Sequence, residues 1–151
     1  MKQLMTLAYL IKDDEVLLGY KKQGMGIGRY NGFGGKVEKG ETIEETAERE
    51  IFEECGLTVK NLVELGVLNF SWTGKKDILE VHIFKTTDFS GEIEESEEMR
   101  PEWFSIDKMP YNKMWVSDIH WWPLLLNDKK FNGHFIWDKH DKIVEYDLKE
   151  L

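Results

Sequence analysis

Glu50, Glu53 and Glu54 stand at i, i+3 and i+4 of a segment, Thr42–Cys55, whose pattern is helical. At 100° per residue Ile43, Ala47, Ile51 and Cys55 form an apolar stripe. The three glutamates fill the sector beside that stripe, with Glu54 at its inner edge. A merely solvated acidic face would lie opposite the stripe, so partial burial and mutual repulsion call for a compensating charge. A bound divalent cation supplies one, and oxygen-only ligands of this kind suit Mg²⁺, with Mn²⁺ as a substitute. Arg49, four residues before Glu53, either holds that carboxylate in orientation or makes a weak surface contact.

The whole chain carries a formal charge of −9, and its Lys and Arg residues cluster in nothing longer than a pair. A surface that tracks nucleic acid by counterion release is therefore not expected. A small anionic substrate remains open, provided a cation stands between it and the carboxylates. Cys55 is the only cysteine, which suits a reducing compartment, and the cytoplasm is the expected location. The apolar run Leu4–Ile11, interrupted by Thr6, is too short to span a membrane and lacks a cleavage pattern.

A single domain, 1–151, is expected for a chain of 151 residues. Leu4–Ile11 and Val16–Lys22 flank a polar turn and read as a hairpin. Gly24, Gly26, Gly28, Gly32, Gly34 and Gly35 follow within twelve positions. That density permits close approach to a ligand, or marks a linker, although linkers seldom carry residues such as Tyr30, Asn31 and Phe33. Thr42 and Glu45 form the pattern of a capping box for the helix, and Gly56 follows its last residue. Val59–Phe70, Ile78–Thr87 and Trp103–Ser105 read as strands, Ile119–Leu126 as a second helix with Pro123 in its first turn, and Phe131–Trp137 and Lys142–Leu148 as a last strand pair. This order argues for an α+β domain with a mixed sheet.

Gly35, five residues, Glu41, seven residues, Arg49-Glu50-Ile51, one residue, Glu53-Glu54, one residue, Gly56-Leu57 fills every defined position of the Nudix box, so the chain resembles the Nudix superfamily. The segments KKQGMGIGRYNGFGGKVEKGE, DILEVHIF, ESEEMRPEWF and KMWVSDIHWWPLLL extend the likeness, from about Val16 to Leu148, to the MutT-homologue branch that acts on 8-oxo-dGTP and other oxidised purine triphosphates. The resemblance implies a mixed β-sheet sandwiched between helices (α/β/α). It also implies hydrolysis of a nucleoside triphosphate to a monophosphate and pyrophosphate, by water attack at the β-phosphorus, as nucleotide-pool sanitation linked to DNA repair.

By the same resemblance Glu50, Glu53, Glu54 and the Gly34 carbonyl hold Mg²⁺, with Glu98 joining from another loop. Glu54 or Glu98 is the general base, Glu54 being preferred. The Glu94–Glu98 run is otherwise a solvated acidic loop, and Lys21 and Lys22 either neutralise phosphates or end a strand in solvent. Asn31, Trp115 and Asp118 match base-recognition positions. Phe70, Trp72, Leu79, Met99 and Met25 are candidates for the pocket wall, although Leu79 and Met99 suit an ordinary core equally. Trp115 offers a stacking face, Asp118 can accept from a guanine-like edge, and the Asn31 amide can sense N7 changing from acceptor to donor on oxidation at C8. Ser117 departs from the branch, which carries a second aspartate there, so breadth toward oxidised adenines is expected to narrow. Met25 and Tyr30 are further departures at the expected pocket wall. The box leaves open a diphosphatase for dinucleoside polyphosphates or nucleotide sugars. A non-catalytic binding module is disfavoured, because all its carboxylates are present. The chain is expected to act as a monomer, with a weak dimer as the other possibility, and its partner is a small nucleotide.

Overall fold

A computed structural model describes residues 1–151. Ten strands run in chain order: β1 (Lys2–Lys12), β2 (Glu15–Lys21), β3 (Tyr30–Asn31), β4 (Thr58–Lys60), β5 (Val63–Trp72), β6 (Ile78–Thr86), β7 (Asp88–Ser90), β8 (Met99–Ser105), β9 (Phe131–Trp137) and β10 (Ile143–Glu150). The helices are α1 (Ile43–Cys55) and α2 (Asp118–Leu126). The main sheet runs β10-β9-β5-β6-β1-β2-β3, with β8 also on β2, and is mixed: β1 pairs parallel with β6 and antiparallel with β2.

Alternation along β1 and β2 explains why two layers cover this sheet. Ala8, Leu10 and Leu17 turn to one face, where α1 delivers the buried Ala47, Ile51 and Cys55. Tyr9, Ile11, Val16 and Leu18 turn to the other, where α2 delivers Trp121, Trp122 and Leu125. Burying a side chain such as Ile51 contributes roughly 1.5–3 kcal/mol, so the stripe on α1 fixes its place on the sheet. The expected α/β/α sandwich is the observed one.

The ends of α1 match the sequence reading. Thr42 Oγ1 accepts from the Glu45 N–H at 3.1 Å, Glu45 Oε1 accepts from the Thr42 N–H at 2.9 Å, and Gly56 closes the helix at φ 81°. Two strand and helix expectations change. The single strand Val59–Phe70 breaks at Asn61, whose φ of 54° turns the chain, so β4 leaves the main sheet and pairs with β7. Pro123 is not in the first turn of α2, because the helix begins at Asp118 through tight bonds from Asp118 N to Trp115 O and from His120 N to Ser117 O. The carbonyls of its last turn are satisfied from outside the helix. Asn127 Nδ2 donates to the Pro123 carbonyl at 2.8 Å, and Lys85 Nζ donates to the Leu125 and Leu126 carbonyls.

The glycine-rich segment is strapped to β1 rather than free. Ala8 N donates to Phe33 O at 2.7 Å and Thr6 N to Gly35 O at 2.9 Å. A Cβ on Gly34, between them, would lie 1.8 Å from the Thr6 carbonyl oxygen, so no other residue fits there.

Candidate active site

Strands β1, β5, β6 and β9, the glycine-rich segment and both helices line a cleft of about 200 Å³. All ten residues expected to bind substrate line it: Lys21, Met25, Asn31, Phe70, Trp72, Leu79, Met99, Trp115, Ser117 and Asp118. Gly34 and Glu54 close its inner end. A second cavity, lined by Gln23, Glu50, Glu53, Glu54, Ser96, Glu97 and Glu98, has no apolar residue in its wall. Glu54 lies on both, so a largely apolar cleft and an acidic one meet at a single carboxylate.

On the acidic side Glu54 is 3% exposed and accepts from the Gly34 N–H at 2.9 Å. Burial, only partly offset by that bond, pushes its carboxyl up to about 8, and the neighbouring Glu50 adds to the rise. Burial likewise raises Glu50. Glu53 is exposed. Arg49 binds Glu53 only by the long arm of its contacts, 3.2 Å; Nε to Glu41 Oε2 at 2.6 Å, Nη2 to Glu41 Oε1 at 3.0 Å and Nη1 to Glu50 Oε1 at 2.7 Å are shorter. The expected i+4 tether is therefore the minor one, because Glu41 presents both oxygens to the planar guanidinium. This pairing holds Glu41 down at about 2.

No three acidic side chains converge on one point. Glu50 is drawn to Arg49, and Glu98 to Lys21 at 3.7 Å. The donor set nevertheless suits a divalent cation. Five glutamates, with Gln23 and Ser96, offer oxygen ligands around a buried acid. The set also offers the Gly34 carbonyl, which lies between two carbonyls, Phe33 and Gly35, that are already bonded to β1. The Glu94–Glu98 run divides: Glu97 and Glu98 line the acidic cavity, whereas Glu95 pairs with Lys22 at 2.5 Å on the surface.

On the base side Asp118 is 3% exposed and its Oδ2 has no partner. Burial raises its carboxyl to about 7, and Ser117 Oγ donates weakly to Oδ1 at 3.5 Å. Ser117 sits at the N-terminus of α2 but does not cap it. Trp115 is half-buried, with the Arg29 guanidinium 4.1 Å over its ring and Trp137 edge-on at 5.6 Å. Met99 is both wall and core, being 3% exposed and packed beneath α1. Met25, 65% exposed, forms the rim. Tyr30 does not shape this wall, since it packs on Tyr20 and Phe104 and donates to Glu102.

Four residues have roles that the sequence reading did not assign. Thr6 lines the cleft with a buried, unpartnered Oγ1, and its signal was the one polar residue in the first apolar run. Arg29 lines the cleft too, tied to Asp141 at 3.3 Å. Glu41 holds Arg49, a pairing its fixed place in the box does not spell out, and Tyr9 bonds Asn31 from 22 positions away.

Residues 1–125 match the NUDIX domain family. The chain is 50% identical over 149 residues to the oxidized purine nucleoside triphosphate hydrolase of Danio rerio and 48% identical to that of Mus musculus, covering 99% of this chain and 96% of each relative. Its fold superposes on the crystal structure of a mutator MutT protein from Bacillus halodurans with a TM-score of 0.88, at 30% identity over 97% of both chains. The chain belongs to the NUDIX domain family and is a Nudix hydrolase. Within that family its similarity over nearly full length is to oxidized purine nucleoside triphosphate hydrolases.

Proposed function

We propose that this chain hydrolyses oxidised purine nucleoside triphosphates such as 8-oxo-dGTP to the monophosphate and pyrophosphate, as a cytoplasmic monomer that clears the nucleotide pool. The observation that carries the reading is the meeting of a largely apolar, aromatic-walled cleft with a glutamate-rich cavity at Glu54, a base site abutting a phosphate site. Glu50, Glu53, Glu54 and Glu98, with the Gly34 carbonyl, are the residues that would hold Mg²⁺. Bound there, the ion would neutralise triphosphate charge and acidify a water.

Lys21, on the cleft wall, adds positive charge for the phosphates. Glu54, standing where the two cavities meet, takes the proton from the attacking water. The water oxygen bonds to the β-phosphorus, the bond from that phosphorus to the α–β bridging oxygen breaks, and the monophosphate leaves carrying that oxygen. Pyrophosphate thus keeps the water oxygen. Asp118 and Asn31 orient the base, Trp115 packs against it, and Arg49 holds Glu50.

The test is kcat/KM for 8-oxo-dGTP against dGTP with Mg²⁺. A preference of at least about tenfold, or about 1.4 kcal/mol, is expected. A ratio near one would reduce the activity to that of a general diphosphatase. Because Ser117 cannot ionise, 2-hydroxy-dATP is expected to be turned over less well than 8-oxo-dGTP.

A further inference from the structure

Asn31 Oδ1 receives two hydrogen bonds, from the Gly32 N–H at 2.9 Å and from the Tyr9 hydroxyl at 3.2 Å. Tyr9 is fully buried, wedged against Trp121 and Trp122 with ring centroids at 5.7 Å from each. The chain closes on it: a Cβ at Gly32 would stand 2.9 Å from Tyr9 Cζ, so only a glycine lets the loop lie against that ring. A backbone N–H donates only, and therefore the atom it meets is the amide oxygen rather than the nitrogen. Both lone pairs of Oδ1 are then occupied, and what Asn31 turns to the cleft is its NH₂ group.

We propose that Tyr9 is a specificity-positioning residue, locking the Asn31 amide so that it offers the base donors and no acceptor. The inference rests on the function proposed above and deepens it. Asn31 then reads a carbonyl or an unprotonated ring nitrogen and cannot take a proton from N7–H of an oxidised guanine. That task passes to Asp118, whose Oδ2 is buried in the same cleft without a partner. The sensing of C8 oxidation assigned to Asn31 on sequence alone moves to the aspartate.

The experiment is a double-mutant cycle of Tyr9→Phe and Asn31→Ala, with 8-oxo-dGTP, dGTP and 2-hydroxy-dATP as substrates. It is analysed on whichever of these the wild type turns over best, so a wild type preferring dGTP overturns the proposed substrate while leaving the cycle readable. Tyr9→Phe is expected to raise KM about fivefold, with kcat changed less than about twofold, because the amide is then held by the Gly32 N–H alone and its NH₂ is aimed less firmly at the base. In the Asn31→Ala background the same change should leave KM within about twofold. Equal effects of Tyr9→Phe in both backgrounds, or none in either, would overturn the proposal. Should Tyr9→Phe fail to fold, Asn31→Asp decides. It keeps both bonds to Oδ1 and replaces the donor with an acceptor, so it is expected to raise KM at least about tenfold, and an unchanged KM would refute the donor role.

Discussion

A single carboxylate, Glu54, belongs to both cavities, and most of the proposed chemistry turns on it. Glu54→Gln keeps its shape and removes its basicity, so kcat for 8-oxo-dGTP should fall by at least about a hundredfold in a protein with native circular dichroism; intact activity would end its assignment as base. Hydrolysis in ¹⁸O-water should place the label in pyrophosphate, and label in the monophosphate would move the attack to the α-phosphorus. Asp118 makes a different prediction. Its folded carboxyl lies near 7 against 3.8 for the ordinary group, so the folded state holds an extra proton between those values. Stability contributed by this group is therefore present below about pH 4 and is lost as pH rises toward 7. With about 1.36 kcal/mol per unit the loss reaches up to about 4 kcal/mol. Asp118→Asn should remove it, raising Tm relative to wild type at pH 8 and not at pH 4; an equal shift at both would deny the burial effect.

At the scale of elements, the capping box and apolar stripe of α1 were legible because both are local: Thr42 and Glu45 are one turn apart, and the stripe repeats along one face. The ten cleft residues were legible as types matched to a family pattern. What stayed hidden depends on partners outside the element that carries the residue. Arg49 looked like a tether for Glu53 at i+4, whereas Glu41, eight residues back across the turn into the helix, takes it bidentately. Asn31 looked like a sensor open on both sides until Tyr9, 22 positions away, was seen to occupy its oxygen. The break at Asn61 was hidden for another reason, because a positive φ at a non-glycine residue leaves little trace in an apolar alternation. The most severe element-level demand is at Gly34. Gly34→Ala would force a Cβ to within 1.8 Å of the Thr6 carbonyl, push the loop off β1 and displace the Glu54 bond. A loss of about 3 kcal/mol in urea unfolding, together with loss of activity, is expected, and a near-native stability would mean the loop yields freely.

For the molecule as a whole, a charge of −9 gathered partly around one cavity makes metal a stabilising ligand as well as a reagent. Adding Mg²⁺ should raise Tm, and EDTA should lower it and abolish turnover, the rise following RT ln(1 + [L]/Kd). An unaffected Tm in saturating Mg²⁺ would show that the acidic cavity is not its site. No helix is long and apolar enough to cross a membrane.

Cys55, the last residue of α1, is fully buried, and burial lifts its thiol to about 11, so almost no thiolate is presented to solvent. Met25 stands open at the rim of the cleft. An enzyme that clears oxidised nucleotides is most needed when peroxide is abundant, and this arrangement divides the hazard unequally between its sulfur atoms. The thiol is withdrawn from oxidation, while a thioether beside the substrate entrance is left exposed to it. Among the methionines of the cleft, the one open to oxidant thus lies at the doorway, where a sulfoxide would put a polar group on an apolar wall.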